Sequence, residues 1–310
     1  MSLLGPAATV DVRTAYRQCE QIMRTQAKNF SYGIGLLPGD KRRALSAVYA
    51  FARRIDDIGD GTMAAADKLT ALDQARTDVM SLDGGSGASA RAVGDPVLIA
   101  LQDAAERFPI PLAAFGELID GCVADVGGVT YTTFEDLKYY CTCVAGSIGR
   151  LSLGVFGSSD PEQAATLADA LGIALQLTNI TRDIKEDLGN GRVYLPAEDL
   201  DRFGCTLRPS GPDGQPVMVG DLGSLIRFEA KRAQGWYSTG LRLIPLLDRR
   251  SGACTGAMAG IYARLLDHIY AAPQDSLDHR MSLPTSQKAL VAASALAGMA
   301  RRPKLAAGAA

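Results

Sequence analysis

Apolar residues recur at helical spacing through most of this chain. After Leu36-Leu37-Pro38-Gly39-Asp40 they fall at Ala44, Val48, Phe51, Ile55 and Ile58, at alternating spacings of four and three. Leu98, Leu101, Ala105 and Phe108 repeat the pattern over a shorter run, which Pro109 and Pro111 end. The longest pattern covers 164–188, with Ile173, Leu177, Ile180 and Ile184 in register. Two more helices are predicted over 222–247 and 257–270. Alternation of period two is absent, so the spacing predicts an all-α protein of eight to twelve helices. Residues 81–95 and 205–221, with glycine among serine or proline, read as flexible surface loops. Neither separates halves of different composition, so one domain over 1–310 is expected, with a disordered tail at 301–310.

Two acidic clusters stand out on this helical background. Asp56-Asp57-Ile58-Gly59-Asp60 closes the first long pattern, and Asp183-Ile184-Lys185-Glu186-Asp187 sits in the longest one. In each, the outer aspartates are four residues apart, one turn above each other on the same helix face. In the second cluster Gln176, Asn179, Asp183 and Asp187 fall in a stripe ~80° wide, bracketed by Leu177, Ile180 and Ile184 and by Leu171 and Leu175. Thr181 and Lys185 lie nearly opposite, where solvent is expected. Tyr49, Arg53, Asp56 and Asp60 share a stripe of the first helix, bordering a polar face with Arg43, Ser46, Arg54 and Asp57. Carboxylates facing one another across a cavity repel and raise each other's pKa values. A hard divalent cation relieves that repulsion, and Mg²⁺ commonly shares its shell with a substrate's phosphates. Arg53 and Arg182, each near an aspartate, are placed either to meet a departing phosphate or to orient the carboxylates. The pattern points to an enzyme that grips a diphosphate through Mg²⁺, with Tyr49, Tyr140 and Tyr262 available as aromatic faces for a cation.

Composition narrows the alternatives. A formal charge of −2 argues against a nucleic-acid partner. His268 and His279 leave little room for zinc sites or histidine-based triads. Cys19, Cys122, Cys141, Cys143, Cys205 and Cys254 include no C-x-x-C pair. With no signal peptide in view, they read as reduced, mostly buried thiols of a cytoplasmic protein. The most apolar stretch, 289–300, is too short to span a bilayer. Peripheral membrane contact stays open. Gly33-Ile34-Gly35 lacks the rest of a dinucleotide fingerprint.

Three segments resemble the squalene/phytoene synthase family. The first runs from Asn29-Phe-Ser-Tyr-Gly-Ile-Gly-Leu-Leu-Pro38 into Ala47-Val-Tyr-Ala-Phe-Ala-Arg-Arg-Ile-Asp-Asp-Ile-Gly-Asp60. The second is Tyr140-Cys-Thr-Cys-Val-Ala-Gly-Ser-Ile-Gly149. The third, and most specific, is Gln176-Leu-Thr-Asn-Ile-Thr-Arg-Asp-Ile-Lys-Glu-Asp187 with Gly191-Arg-Val-Tyr-Leu-Pro196. The resemblance covers about 16–284. It implies an isoprenoid synthase fold, helices around a central active-site cavity, and Mg²⁺-dependent head-to-head joining of two prenyl diphosphates by a prenyltransferase.

Carried over residue by residue, the resemblance implies Asp56, Asp60, Asp183 and Asp187 as metal ligands, with Asn179 beside them. Arg53 is implied as a diphosphate contact, and Tyr140 as the tyrosine that helps proton removal near the reacting carbons. Lys28, Asn29, Gln176, Arg182, Tyr262 and Arg280 are the further substrate contacts. Asn29 stands where the family often has serine. Within the family, the pattern is most similar to bacterial presqualene diphosphate synthases of hopanoid biosynthesis. That implies two farnesyl diphosphates as substrates and a partner enzyme that completes squalene formation. Phytoene synthesis from geranylgeranyl diphosphate is the alternative, followed by a complete squalene synthase or a catalytically inactive assembly factor on the same fold. No C-terminal membrane anchor of the eukaryotic squalene synthase kind is seen.

Overall fold

The computed structural model describes residues 10–27, 30–84, 94–211 and 215–298. Lys28, Asn29, most of the 81–95 segment and the 301–310 tail lie outside these. The helices, in chain order, are α1 (Val12–Gln26), α2 (Ser31–Ile34), α3 (Gly39–Asp60), α4 (Ala65–Met80), α5 (Pro96–Arg107) and α6 (Ala114–Val126). They continue as α7 (Phe134–Cys141), α8 (Ser147–Phe156), α9 (Pro161–Gly189), α10 (Ala197–Arg202), α11 (Leu222–Gly240), α12 (Arg249–Ala271), α13 (Pro273–Asp278) and α14 (Thr285–Leu296). The all-α expectation holds.

Helix α9 is the central element. Asp160 caps it by accepting from the Gln163 amide at 3.1 Å, and Pro161 presets its first turn. It then runs 29 residues with buried positions on nearly every side. Helix α11 packs along it, and α8, α12 and α13 also touch it. This position overturns one expectation: Thr181 is 1% exposed, not solvent-facing. Its hydroxyl is satisfied internally, donating to the Leu177 carbonyl at 2.9 Å. Ser46, assigned to the polar face of α3, is likewise fully buried and donates to the Arg42 carbonyl at 2.8 Å.

A π turn, Thr142–Gly146, joins α7 to α8 and swings the chain against α9. The approach is backbone to backbone. A Cβ on Gly172 would sit 2.5 Å from the Ala145 carbonyl oxygen, so only glycine fits there. At the far end of α8, the Lys41 ammonium donates to the Phe156 carbonyl (2.5 Å), Asp248 (2.7 Å) and Ser251 (3.2 Å). One side chain thereby ties together the start of α3, the end of α8 and the start of α12.

Residues 205–221, expected to be a flexible loop, contain an antiparallel hairpin. Its strands, β1 (Thr206–Arg208) and β2 (Val217–Val219), pair Leu207 with Met218. Three-residue strands are too short for their alternation to register in sequence. The helix predicted over 222–247 ends at Gly240 and continues as a 3₁₀ segment, Leu241–Leu246, that contains Pro245. All six cysteines are free and buried.

Glycines of opposite character test this packing. A Cβ on Gly240 would lie 2.5 Å from the Leu171 amide nitrogen, whereas Gly235, exposed on the same helix, has nothing within 4 Å. Gly240→Ala is expected to destabilise the fold by ~1–3 kcal/mol, the cost of overpacking. Gly235→Ala should stabilise it by ~0.5–1 kcal/mol through helix propensity. Urea denaturation midpoints moving in the same direction would contradict the assignment of α11 against α9.

Candidate active site

One cavity of about 490 Å³ opens between α3, α6, α8, α9 and α12. Helix α9 contributes Ala168, Gly172, Gln176, Asn179, Asp183 and Asp187, a single stripe at spacings of three and four. From Ala168 to Asp187 that stripe climbs ~28 Å at the helical rise. Helix α3 contributes Leu45, Val48, Tyr49, Ala52, Arg53, Asp56 and Asp60, a rise of ~22 Å. Acids and amides therefore gather at one end and apolar or small residues at the other. Phe156 lies in the apolar part of the lining.

Charge at the polar end is crowded. Burial, and next Asp60, push the Asp56 carboxyl up to about 7. Burial, and next Asp183, push Asp187 up to about 7. Arginines hold the remaining acids. Arg192 donates to Asp60 at 2.8 Å. Arg182 forms a fork with Asp183, and Arg280 approaches the same carboxylate at 3.3 Å. Arg53 pairs with Asp57 at 2.6 Å, while its Nε is buried without a partner. Phe30 stacks on Tyr262, ring centroids 5.8 Å apart, as part of the wall.

The structure places Arg53, Asp56, Asp60, Tyr140, Gln176, Asn179, Arg182, Asp183, Asp187, Tyr262 and Arg280 on this one cavity. Lys28 and Asn29 lie outside the described residues. Sequence reasoning missed Asp125, which lines the same wall and accepts hydrogen bonds from Tyr140 (2.9 Å) and Tyr194 (3.0 Å). Arg192 and Tyr194 stood inside a quoted motif without a role. The available signal for Asp125 was its spacing, one turn beyond Cys122 and two beyond Leu118, on the buried face of α6.

Mg²⁺ fits this donor set. The donors are hard oxygens, the Asn179 Oδ1 is buried and unpartnered, and the raised Asp56 and Asp187 are only partly offset by Arg53 and Arg192. Among the described residues no three acids, thiols or imidazoles converge as a ready-made cage. Substrate phosphates would have to complete the shell, as Mg²⁺ sites commonly require.

Raised acids give a signed pH dependence. A carboxyl whose folded pKa exceeds its unfolded value stabilises the fold below pH ~4, and that contribution is lost as pH rises toward ~7. Metal-free protein is therefore expected to lose stability over this window through Asp56 and Asp187. Asp56→Asn should flatten the loss and melt ~2 °C or more above wild type near neutral pH. Calorimetric melting across pH checks it, and a steeper decline in the variant would contradict the assignment.

Comparison with known proteins agrees with the geometry. The profile of the squalene/phytoene synthase family matches residues 23–287. A phytoene synthase of Mycobacterium tuberculosis is 51% identical over 93% of this chain and 92% of its own. A phytoene synthase of Arthrospira platensis is 34% identical over 88% of this chain and 90% of its own. Among solved structures, a dehydrosqualene synthase in complex with ligand superposes with a TM-score of 0.79 at 27% identity, covering 93% of this chain and 97% of that one. The squalene synthase HpnC from Alicyclobacillus acidocaldarius gives 0.72 at 30% identity, covering 86% and 95%. The helices around their cavity form an isoprenoid synthase fold. With its paired carboxylates on facing helices, this chain belongs to the squalene/phytoene synthase family of head-to-head prenyl diphosphate condensing enzymes.

Proposed function

We propose that the protein condenses two geranylgeranyl diphosphates head to head on the way to phytoene, with Mg²⁺ as cofactor. The observation that carries the reading is the single cavity with acids at one end and a long apolar floor at the other. An extended chain advances ~1.2 Å per bond, so a geranylgeranyl tail reaches ~18 Å and a farnesyl tail ~13 Å. Helix α3 spans ~22 Å from Asp60 to Leu45, which suits the longer tail and leaves more of the wall uncovered by the shorter. The 51% identity to a mycobacterial protein named phytoene synthase supports the same substrate. Farnesyl diphosphate, carried only to presqualene diphosphate, is the second reading. Likeness to structures named dehydrosqualene synthase and squalene synthase favours it.

Asp56, Asp60, Asp183, Asp187 and Asn179 would hold Mg²⁺ at the polar end. Bound there, Mg²⁺ supplies Lewis-acid stabilisation of the departing diphosphate. Arg53, Arg182 and Arg280 add charge-assisted donors for the phosphates, with Gln176 nearby. Ala52 and Ala168 put only small side chains on the wall against which the prenyl chains would lie. Tyr49, Tyr140 and Tyr262 present aromatic faces to the allylic cation, while apolar walls exclude water that would quench it. The second substrate's C2–C3 double bond then attacks C1 of that cation, and loss of a proton closes a cyclopropane. Among the described residues no helix is long and apolar enough to cross a membrane.

Asp60→Asn and Asp183→Asn are each expected to cut turnover at least ~10²-fold, the scale of losing one preorganised electrostatic group. With Mg²⁺ and each substrate alone, mass spectrometry should find a condensed C40 product from geranylgeranyl diphosphate, at ~10-fold or greater kcat/KM over farnesyl diphosphate. Condensation of farnesyl diphosphate alone would establish the second reading. Full activity in either variant would remove the metal-clamp reading.

A further inference from the structure

Beside the four aspartates, α6 carries an acid with no part in the arrangement above. Asp125, near the end of α6, is half-buried and lines the cavity. One carboxylate oxygen accepts from the Tyr140 hydroxyl at 2.9 Å and the other from the Tyr194 hydroxyl at 3.0 Å. The two phenol rings stack with centroids 5.2 Å apart, which fixes both hydroxyls relative to the acid. Tyr131 packs on both rings from behind.

We propose that Asp125 is the terminal proton acceptor of the condensation, working through the Tyr140 hydroxyl and held in place by Tyr194. This rests on the condensation described under Proposed function and adds the destination of its proton.

The geometry supports a relay. Tyr140 spends its only hydroxyl hydrogen on Asp125, so its oxygen keeps lone pairs that can take a proton from substrate. Burial, followed by the Asp125 charge, holds the Tyr140 phenol well above its ordinary pKa, so it cannot persist as phenolate. A proton received there must be matched by one passed on. Burial raises Asp125 above the usual carboxylate range, only partly offset by Arg192, and this makes it the better acceptor.

The step balances. The C–H bond at the reacting C1 breaks, and its electron pair forms the closing ring bond. The proton goes to the Tyr140 oxygen as the phenol's own proton goes to Asp125, leaving a neutral phenol and a neutral acid. Asp125 acts through Tyr140, so it is a positioning and proton-accepting residue that does not itself touch the reacting carbon.

The test compares wild type, Asp125→Asn, Asp125→Glu and the control Asp120→Asn in full-length protein with Mg²⁺ and the preferred prenyl diphosphate. Asp120 lies on the same helix, paired with Arg76 at 2.6 Å and outside the cavity lining. Condensed product, released diphosphate and prenyl alcohol are measured together. Asn keeps an accepting oxygen but cannot take the proton. Product formation in that variant should fall ~10²-fold or more with KM within ~3-fold, the scale of losing general-base assistance. Ionisation should persist, so prenyl alcohol per condensed product rises. Asp125→Glu should recover at least ~10-fold over Asn, and Asp120→Asn should match wild type. If Asp125→Asn does not fold, Asp125→Glu decides: slower condensation with a raised alcohol fraction supports the relay. A wild-type product ratio in Asp125→Asn, or in Asp125→Glu when Asn does not fold, overturns the relay and leaves the departing diphosphate as acceptor. An Asp120→Asn defect equal to that of Asp125→Asn also overturns it. A wild-type protein that condenses neither substrate overturns the functional reading first, and is told apart by the missing product.

Discussion

The crowding of like charge at one end of an apolar cavity governs much of this structure. Four aspartates on two helices, with Asp125 beside them, share a partly dry space in which burial and neighbouring acids raise Asp56, Asp187 and Asp125 above the usual carboxylate range. The chain does not relieve this by dispersing the acids. It answers with arginines placed individually: Arg192 on Asp60, Arg182 and Arg280 on Asp183, Arg53 on Asp57. On the proposed reading, the same arginines are placed to meet phosphate once a cation neutralises the carboxylates.

The cavity itself depends on small side chains. Gly172 against Ala145, and Gly240 against Leu171, bring α9 within backbone contact of its neighbours, so the helix can be central without filling the space beside it. Gly149 meets the Ala168 backbone in the same way, and Ala52 and Ala168 put only small side chains on the cavity wall. The polar residues at the mouth keep their register because α9 is continuous from floor to rim.

Much of this was legible in the sequence, and the failures have physical causes. The stripes on α3 and α9 followed from spacing alone, because an amphipathic pattern and a helical turn share one period. Thr181 was misplaced because the reading assumed that every helix has a wet side, whereas α9 is enclosed on nearly all of its faces. The hairpin escaped because three residues per strand cannot establish alternation. Asp125 escaped because its meaning lies in its partners, Tyr140 and Tyr194, 15 and 69 residues away. A lone acid on an amphipathic helix is ordinarily a surface residue, and only the fold brings those hydroxyls to it.

The Lys41 tie has a consequence for traffic through the molecule. By joining the ends of three helices through one ammonium group, it holds Phe156, part of the apolar lining, against the starts of α3 and α12. The acidic rim, by contrast, is held by arginine pairs. On the proposed reading a molecule with a greasy tail and a charged head would enter tail first, and two of them would share this one mouth.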